Sequence, residues 1–325
     1  MTAYLIRRIV YGVLILIGVN LFTFLLFFAV TTPDDMARLS IGGRRVTTEA
    51  IEKWKVERGY DKPMLINQQA QGTDKLTDTL FFERSVRLFA LDFGSSDAGR
   101  NIGQELSERI GPSLALAVPT FLLGLFASIV FSLILVFFRG TYLDFWGVVL
   151  CVIMLSISTL FYIIAGQFLF SKTLRLVPLS GFAPGWDAIR FLILPVAIAI
   201  IAKLGPEARF YRAVFLEEVG KDYVRTARSK GLSERVVLFK HVLRNAMLPI
   251  LTSTVSAIPL LFLGSLIAEA FFGIPGLGSY TMDAIAAQDF AIVRAMVFLG
   301  SLMTIIGLIL ADISYTLADP RVRFE

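Results

Sequence analysis

Between its charged residues the chain leaves five long apolar runs. Ile9–Val30 carries no charge for 22 residues, Ile110–Phe138 for 29 and Phe145–Ser171 for 27. Asn245–Ala268 follows with 24, and Ala295–Ala311 with 17. A bilayer core about 30 Å thick takes about 20 helical residues, so each run predicts a membrane-spanning helix. A sixth run, Phe191–Ala202, has only 12 residues between Arg190 and Lys203. Admitting Lys203, which can snorkel or pair with Glu207 one turn on, lengthens that span to about 190–209. Arg7 and Arg8 give the first run a basic flank. That run is nevertheless longer than a signal-peptide core of about 7–15 residues, and no small-x-small site follows Val30, so helix 1 is expected to be retained. The pattern predicts an all-α integral membrane protein of six transmembrane helices. Residues 1–30 hold the first, 31–112 form an insertion, and 113–325 form a core. Within the core the helices are expected near 113–138, 145–170, 190–209, 249–269 and 294–314, with a polar loop over 210–248.

Composition excludes a soluble enzyme. Of 325 residues 56% are apolar and 18% charged, and mean hydropathy is +0.72. Soluble domains run nearer 45–50% apolar and about 25% charged. One cysteine, Cys151, and one histidine, His241, leave no disulfide and no multi-cysteine or clustered-histidine metal site. No metal, cofactor or catalytic set is expected on this chain. The net charge of +5 is distributed by topology. Residues 209–248 carry nine Lys/Arg against four Asp/Glu, whereas 31–112 carry 12 basic and 13 acidic residues. With Arg7, Arg8, Arg139, Arg321 and Arg323 on the same side as 209–248, both termini are expected in the cytoplasm and 31–112 outside. Trp146 and Trp186 fall at predicted span ends, where amphipathic rings prefer the interface. Lipid, not nucleic acid, is the partner this basicity implies.

Two polar segments have patterns of their own. In the first, Thr47 or Thr48 can cap a helix over Glu49–Arg58 that stops at Gly59. Phe81–Leu91 reads as a second, amphipathic helix, and Asp92-Phe93-Gly94-Ser95-Ser96 as a turn. This segment is either a small ordered cap or a docking surface for an external partner. In the second, Asp222–Lys230 reads as a short basic helix ending at Gly231, which adopts a left-handed cap cheaply. Ser233 is a natural N-cap for a helix through about Met247 that enters the membrane at Pro249. Two helices would therefore meet at a Gly-Leu-Ser corner.

The residues of that corner carry a resemblance. Asp222-Tyr223-Val224-Arg225-Thr226-Ala227-Arg228-Ser229-Lys230-Gly231-Leu232-Ser233, followed by His241-Val242-Leu243-Arg244-Asn245-Ala246-Met247-Leu248-Pro249, resembles the EAA loop of ABC-importer permeases. It is most similar to the oligopeptide/dipeptide/nickel family, the DppB/OppB type. The E-A-A positions fall on Arg225, Thr226 and Ala227, and the motif's glycine on Gly231. Arg225 departs from the general glutamate but matches the subfamily's Arg-Thr-Ala-Arg pattern. Other family marks occur in order: Tyr4-Leu5-Ile6-Arg7-Arg8, Asp61-Lys62-Pro63, Asp92-Phe93-Gly94-Ser95-Ser96, Pro275-Gly276-Leu277-Gly278 and Asp312-Ile313-Ser314-Tyr315-Thr316-Leu317-Ala318-Asp319-Pro320-Arg321. The last also resembles the YejB branch, associated with larger or modified peptides.

The resemblance implies a type I permease fold in a bacterial or archaeal inner membrane, and import of peptides or peptide-like solutes by alternating access. It implies a second, homologous permease of the OppC/DppC type, two ATP-binding subunits and an extracytoplasmic substrate-binding protein. ATP and Mg would sit on the partner ATPases. The corner from Arg225 to Ser233 would be the coupling helix, with His241, Arg244, Asn245 and Pro249 supporting it. Nickel chelates and small glycosides remain alternative cargoes within the family. The residues themselves leave other classes to weigh. A secondary transporter would favour repeated halves with broken helices, and no internal repeat is evident. A membrane hydrolase would need a nucleophile–base or metal constellation inside the spans. Gly273-x-x-Gly276-x-Gly278 lacks the spacing and the Lys-Ser/Thr of a phosphate loop and reads as a turn. Four ionisable residues fall near span ends: Lys203, Glu207, Glu269 and Asp312. Each is either an interface residue or a vestibule or helix-pairing residue, with a basic partner open to Glu269. Pro119, Pro195, Pro249 and Pro259 can kink spans and free backbone groups toward a cavity.

Overall fold

The computed structural model describes residues 2–42 and 46–318. Arg321 and Arg323 of the expected basic tail, and the Asp319-Pro320 step before them, lie outside the described residues. In chain order the helices are α1 Thr2–Val30, α2 Pro33–Ile41, α3 Thr48–Arg58, α4 Asp74–Thr77 and α5 Leu80–Arg84. Next come α6 Ile102–Phe137, α7 Tyr142–Ser156, α8 Thr159–Gly166, α9 Ala188–Val219 and α10 Asp222–Ser229. The last are α11 Glu234–Val236, α12 Leu243–Ala257, α13 Leu266–Phe272, α14 Leu277–Ala286 and α15 Phe290–Ala318. Among the described residues the only strand-like feature is an isolated bridge between Ser95 and Asn101.

Five helical stretches are long and apolar enough to cross a membrane: Ile6–Phe28, Ile102–Phe137, Gly185–Val219, Glu234–Leu263 and Phe290–Ser314. The bent pair α7 and α8, with the π-helical turns Gln167–Thr173 that extend it, makes a sixth. Two predicted spans are interrupted. The expected helix over 145–170 turns by 92° at Ile157 and Ser158, both of which have extended backbone. Hydroxyl side chains crowd this point and compete for backbone partners: Ser156 Oγ bonds Val152 O at 2.8 Å. The Tyr162 hydroxyl donates to Met154 O at 3.1 Å, so this carbonyl at the break has a partner. The expected helix over 249–269 ends in a 3₁₀ turn, Pro259–Leu263, and stops at Gly264, whose φ is +70°. Leu266–Phe272 is therefore a separate short helix and not the end of a span. In the other direction, α9 continues ten residues past the expected 209, to Val219.

The chain forms two compact units. One comprises Thr2–Arg109 with Tyr280–Ile305. Its α1 presents Phe24 and Phe28 to Met36 and Ala37 of α2, to Ile51 and Trp54 of α3, and to Tyr60 and Leu80. Thr47 caps α3 by accepting from Ala50 N at 3.3 Å, and Gly59 ends it in the left-handed region, as the sequence pattern predicts. The amphipathic stretch 81–91 differs from expectation. It breaks at Ser85, whose carbonyl accepts the buried Asn20 amide at 2.8 Å, and continues as a 3₁₀ turn, Val86–Ala90. The same carbonyl also accepts Leu88 N at 3.3 Å, so it starts the 3₁₀ turn while it anchors α1.

The other unit comprises Ile110–Ser279 with Ile306–Glu325. Here α7 lies against α9 so closely that a Cβ on Gly205 would sit 2.7 Å from Cys151 O and 2.9 Å from Met154 Cβ. The same pair is joined by a fork-to-fork contact in which Arg212 Nε and Nη2 donate to Asp144 at 2.9 and 2.8 Å. Small residues that let backbones approach are a main source of helix association in lipid. Gly205→Leu is therefore expected to destabilise the protein by about 1–3 kcal/mol, the usual cost of overpacking. A lower thermal midpoint in detergent would register this. Gly18→Leu, where an added Cβ meets nothing within 4 Å, should leave the midpoint unchanged.

Candidate functional site

The basic corner is built on a buried wedge. Val224, fully buried, and Ala227, 5% exposed, point from α10 into a cluster with Leu133 and Val136 of α6 and with Tyr211, Phe215 and Val219 of α9. Val237, Leu238 and Val242 close the cluster beneath Ala246 and Ile250 of α12. The spacing of Val224 and Ala227 gives α10 one apolar face, and every residue between them faces outward. On the outer side Lys221, Asp222, Arg225, Thr226, Ser229, Lys230, Gly231, Leu232 and Ser233 are exposed.

Gly231 makes the turn with φ +76°, and its N–H closes on Arg228 O at 2.9 Å. Arg228 then bridges the corner, donating from Nε and Nη2 to Glu234 at 3.1 and 2.6 Å. On the near side Tyr223 and Lys221 both donate to the Glu218 carboxylate. Burial, together with that carboxylate, pushes the Tyr223 hydroxyl up to about 12, so it remains a donor throughout the physiological range. Ser233 begins the next helix with extended backbone but makes no side-chain cap bond. From Glu234 the chain is helical to Leu263, with π-helical turns over Val237–Val242. His241 is half-buried and its carbonyl accepts from Asn245 Nδ2 at 2.9 Å. Arg244 is exposed and Pro249 is half-buried inside α12.

Glu269 pairs helices, one of its expected roles, but through neutral donors. It is fully buried, so it does not line a vestibule, and its partners are neutral donors and not a basic side chain. Oε1 accepts from Ser113 Oγ at 2.9 Å and from Ser265 N at 3.0 Å. Oε2 accepts from Gly278 N at 2.7 Å and Ser279 N at 3.1 Å, and Ser113 Oγ in turn accepts from Leu277 N at 2.7 Å. The first N–H groups of α14 therefore close on an anion, as the partial positive charge of a helix N-terminus favours. The glycine-rich turn that superficially suggested a phosphate loop holds the chain's own carboxylate. A Cβ on Gly276 would lie 2.3 Å from Glu269 Oε2, and one on Gly264 2.2 Å from Oε1. A Cβ on Gly278 would lie 2.5 Å from the Ser265 carbonyl carbon.

Lys203 and Glu207 are brought together on one cavity of about 310 Å³, yet they are not the ion pair that their spacing suggested. Glu207 accepts from Ser128 Oγ at 2.9 Å, while Lys203 is exposed. Asp312 is half-buried in the second half of α15, apart from that cavity. Sequence reasoning missed Ser113, Ser128, Tyr211, Ser253, Thr254 and the Asp144–Arg212 pair. Each is separated from its partner by tens of residues or more, except where a hydroxyl lies in an apolar run with no local signal.

These features define a polytopic, all-helical membrane protein whose polar groups are spent on helix breaks, a buried cap and one projecting corner. The chain belongs to the family described as the binding-protein-dependent transport system inner membrane component, whose model matches residues 113–324. The model of that family's N-terminal region matches residues 1–85. A putative peptide transport system permease protein of Brucella abortus (strain 2308) is 34% identical over the full length of both chains. The oligopeptide transport system permease protein AppB of Bacillus subtilis (strain 168) is 27% identical, again over both full lengths. The dipeptide transport system permease protein DppB of the same strain is 29% identical over 86% of this chain and 87% of its own. The chain is thus an ABC-importer permease with the type I permease fold, a transport component and not an enzyme.

The buried carboxylate makes a sharp prediction. Glu269→Gln would turn an N–H₂ group toward N–H or O–H donors on one side, leaving buried donors unpaired at a cost of about 1–3 kcal/mol or more. The thermal midpoint in detergent should fall nearly as far for Glu269→Gln as for Glu269→Ala, whereas an isosteric change at a solvated carboxylate would be silent.

Proposed function

We propose that this permease imports peptides or peptide-like solutes across the cytoplasmic membrane, with the motive force delivered through the 222–233 corner. The observation that carries the reading is the corner's construction. Its apolar face is locked into the α6–α9–α12 core, and its outer face is left basic, exposed and unpaired with any larger element. A rigid knuckle on long helices transmits displacement without absorbing it. In this reading two ATP-binding subunits hydrolyse ATP with Mg, and one of them seats the corner in a cleft. Arg225 meets them as an exposed charge and Leu232, 38% exposed, as an apolar plug. The nine basic residues over 209–248 set this side and both termini in the cytoplasm. The segment 31–112 then faces outward, toward a substrate-binding protein, and a second homologous permease completes the pathway. Peptides are the cargo class because the relatives named above carry peptide, oligopeptide and dipeptide transport in their names. Alternating access is the switching of such a helix packing between two states that nucleotide and cargo favour differently.

Gly231 isolates the coupling step. Nothing lies within 4 Å of a Cβ added there, so its replacement acts only through the backbone, at φ +76°. A left-handed residue other than glycine costs about 1–2 kcal/mol, and asparagine tolerates the region best. Gly231→Val should either lose co-purifying ATPase subunits or hydrolyse ATP without uptake in proteoliposomes. Gly231→Asn should retain most uptake. Full ATP-driven uptake by Gly231→Val would contradict the assignment.

A further inference from the structure

In the inner half of its span α9 places two opposite charges one turn apart on a shared cavity. The helical stretch Gly185–Val219 carries Lys203 six residues, about 9 Å of helix, before the basic segment that begins at 209. Glu207 follows one turn later. A charge at mid-bilayer costs about 2.5–3.5 kcal/mol on insertion scales, so such residues face protein or water. The two do not neutralise each other, for Glu207 is turned toward Ser128 Oγ at 2.9 Å, and among the described residues Lys203 has no carboxylate within ion-pairing distance. Their surroundings are largely apolar, with Phe121, Leu125 and Phe210 beside them and a few hydroxyl groups set among these. The cavity of about 310 Å³ that they share is also lined by Thr120, Tyr211, Ser253 and Thr254. A second cavity of about 120 Å³ meets Lys203 from the other direction, past Thr159, Pro195 and Ser265. Thr159 and Ser265 begin the helices that follow the two breaks in the spans. From Pro195 to Tyr211 the two cavities follow α9 over a rise of about 24 Å.

We propose that these cavities are a stretch of the translocation path, and that Lys203 and Glu207 form a transient station for a zwitterion within it. Lys203 receives the carboxylate of the cargo, and Glu207, oriented by Ser128, receives its ammonium. The station rests on the peptide reading above, since a free peptide carries these two groups. It is weak by construction. The lysine is exposed, and a conduit must release what it binds.

The chain offers a direct test of the charge at this position. Cys151 is its only cysteine and is fully buried, so Lys203→Cys adds the one accessible thiol. The whole assembly carrying Lys203→Cys is treated in proteoliposomes with methanethiosulfonate reagents, beside the unsubstituted assembly as control. An aminoethyl reagent restores a positive charge through a mixed disulfide, and a sulfonatoethyl reagent installs a negative one. ATP-driven uptake of a dipeptide should fall at least about tenfold in Lys203→Cys, the scale of one charge-assisted hydrogen bond. It should recover after the aminoethyl reagent, and stay low or fall further after the sulfonate, with ATP hydrolysis maintained. A thiol that does not react with either reagent, or uptake indifferent to the sign installed, overturns the station and leaves the peptide reading intact. Absence of ATP-driven dipeptide uptake by the unsubstituted assembly overturns the peptide reading itself, and the station with it.

Discussion

The structure depends on the burial of one short helical face. Val224 and Ala227 of α10 lie in the same apolar cluster as Phe215 of α9 and Val242 of α12. Because both neighbouring helices continue as membrane-spanning segments, α10 cannot shift without moving them or opening that cluster. Packed interiors are close to crystalline in density and deform little, so displacement of the corner is passed on as rigid-body motion. Surface charges at the corner, such as the 3.4 Å contact of Arg225 with Asp222, contribute little to that rigidity.

A second constraint, the need to satisfy polar groups away from water, explains the irregularities. The protein breaks two spans and pays for each break with a specific donor or acceptor. Tyr162 serves a carbonyl before the turn at Ile157, and Glu269 takes Ser265 N just after the break at Gly264. Glu269 also caps α14, so one carboxylate organises two helix starts and a serine of α6. Non-helical backbone at such positions is tolerated where protein or a water-filled cavity surrounds it. Both breaks open onto the small cavity beside Lys203.

Much of the fold was legible in the charge-free runs, because the bilayer imposes one length scale on every span. The corner at Gly231 and the cap at Thr47 were legible too, since each is written in consecutive residues. The bend at Ile157 was not, although three hydroxyl residues within Ser156–Thr159 hinted at a competing hydrogen-bond pattern. The break at Gly264 was hidden by apolar residues on both sides of it. The partners of Glu269 were not legible, because Ser113 and Ser279 stand 156 and 10 residues away and no local rule links them. Lys203 and Glu207 show the limit of spacing arguments. An i,i+4 pair predicts a helical ion pair, yet the acid turns to a serine on α6.

The coupling mechanism requires the corner to lie on the cytoplasmic side of the membrane. Leu232 is exposed at its tip and Cys151 is fully buried, so Leu232→Cys reports from that tip alone. A membrane-impermeant maleimide applied to intact cells and to inverted membrane vesicles would read its location. Labelling only in inverted vesicles, and protection there when the ATP-binding subunits are present, is the predicted result. Labelling in intact cells would put the corner outside and contradict the mechanism.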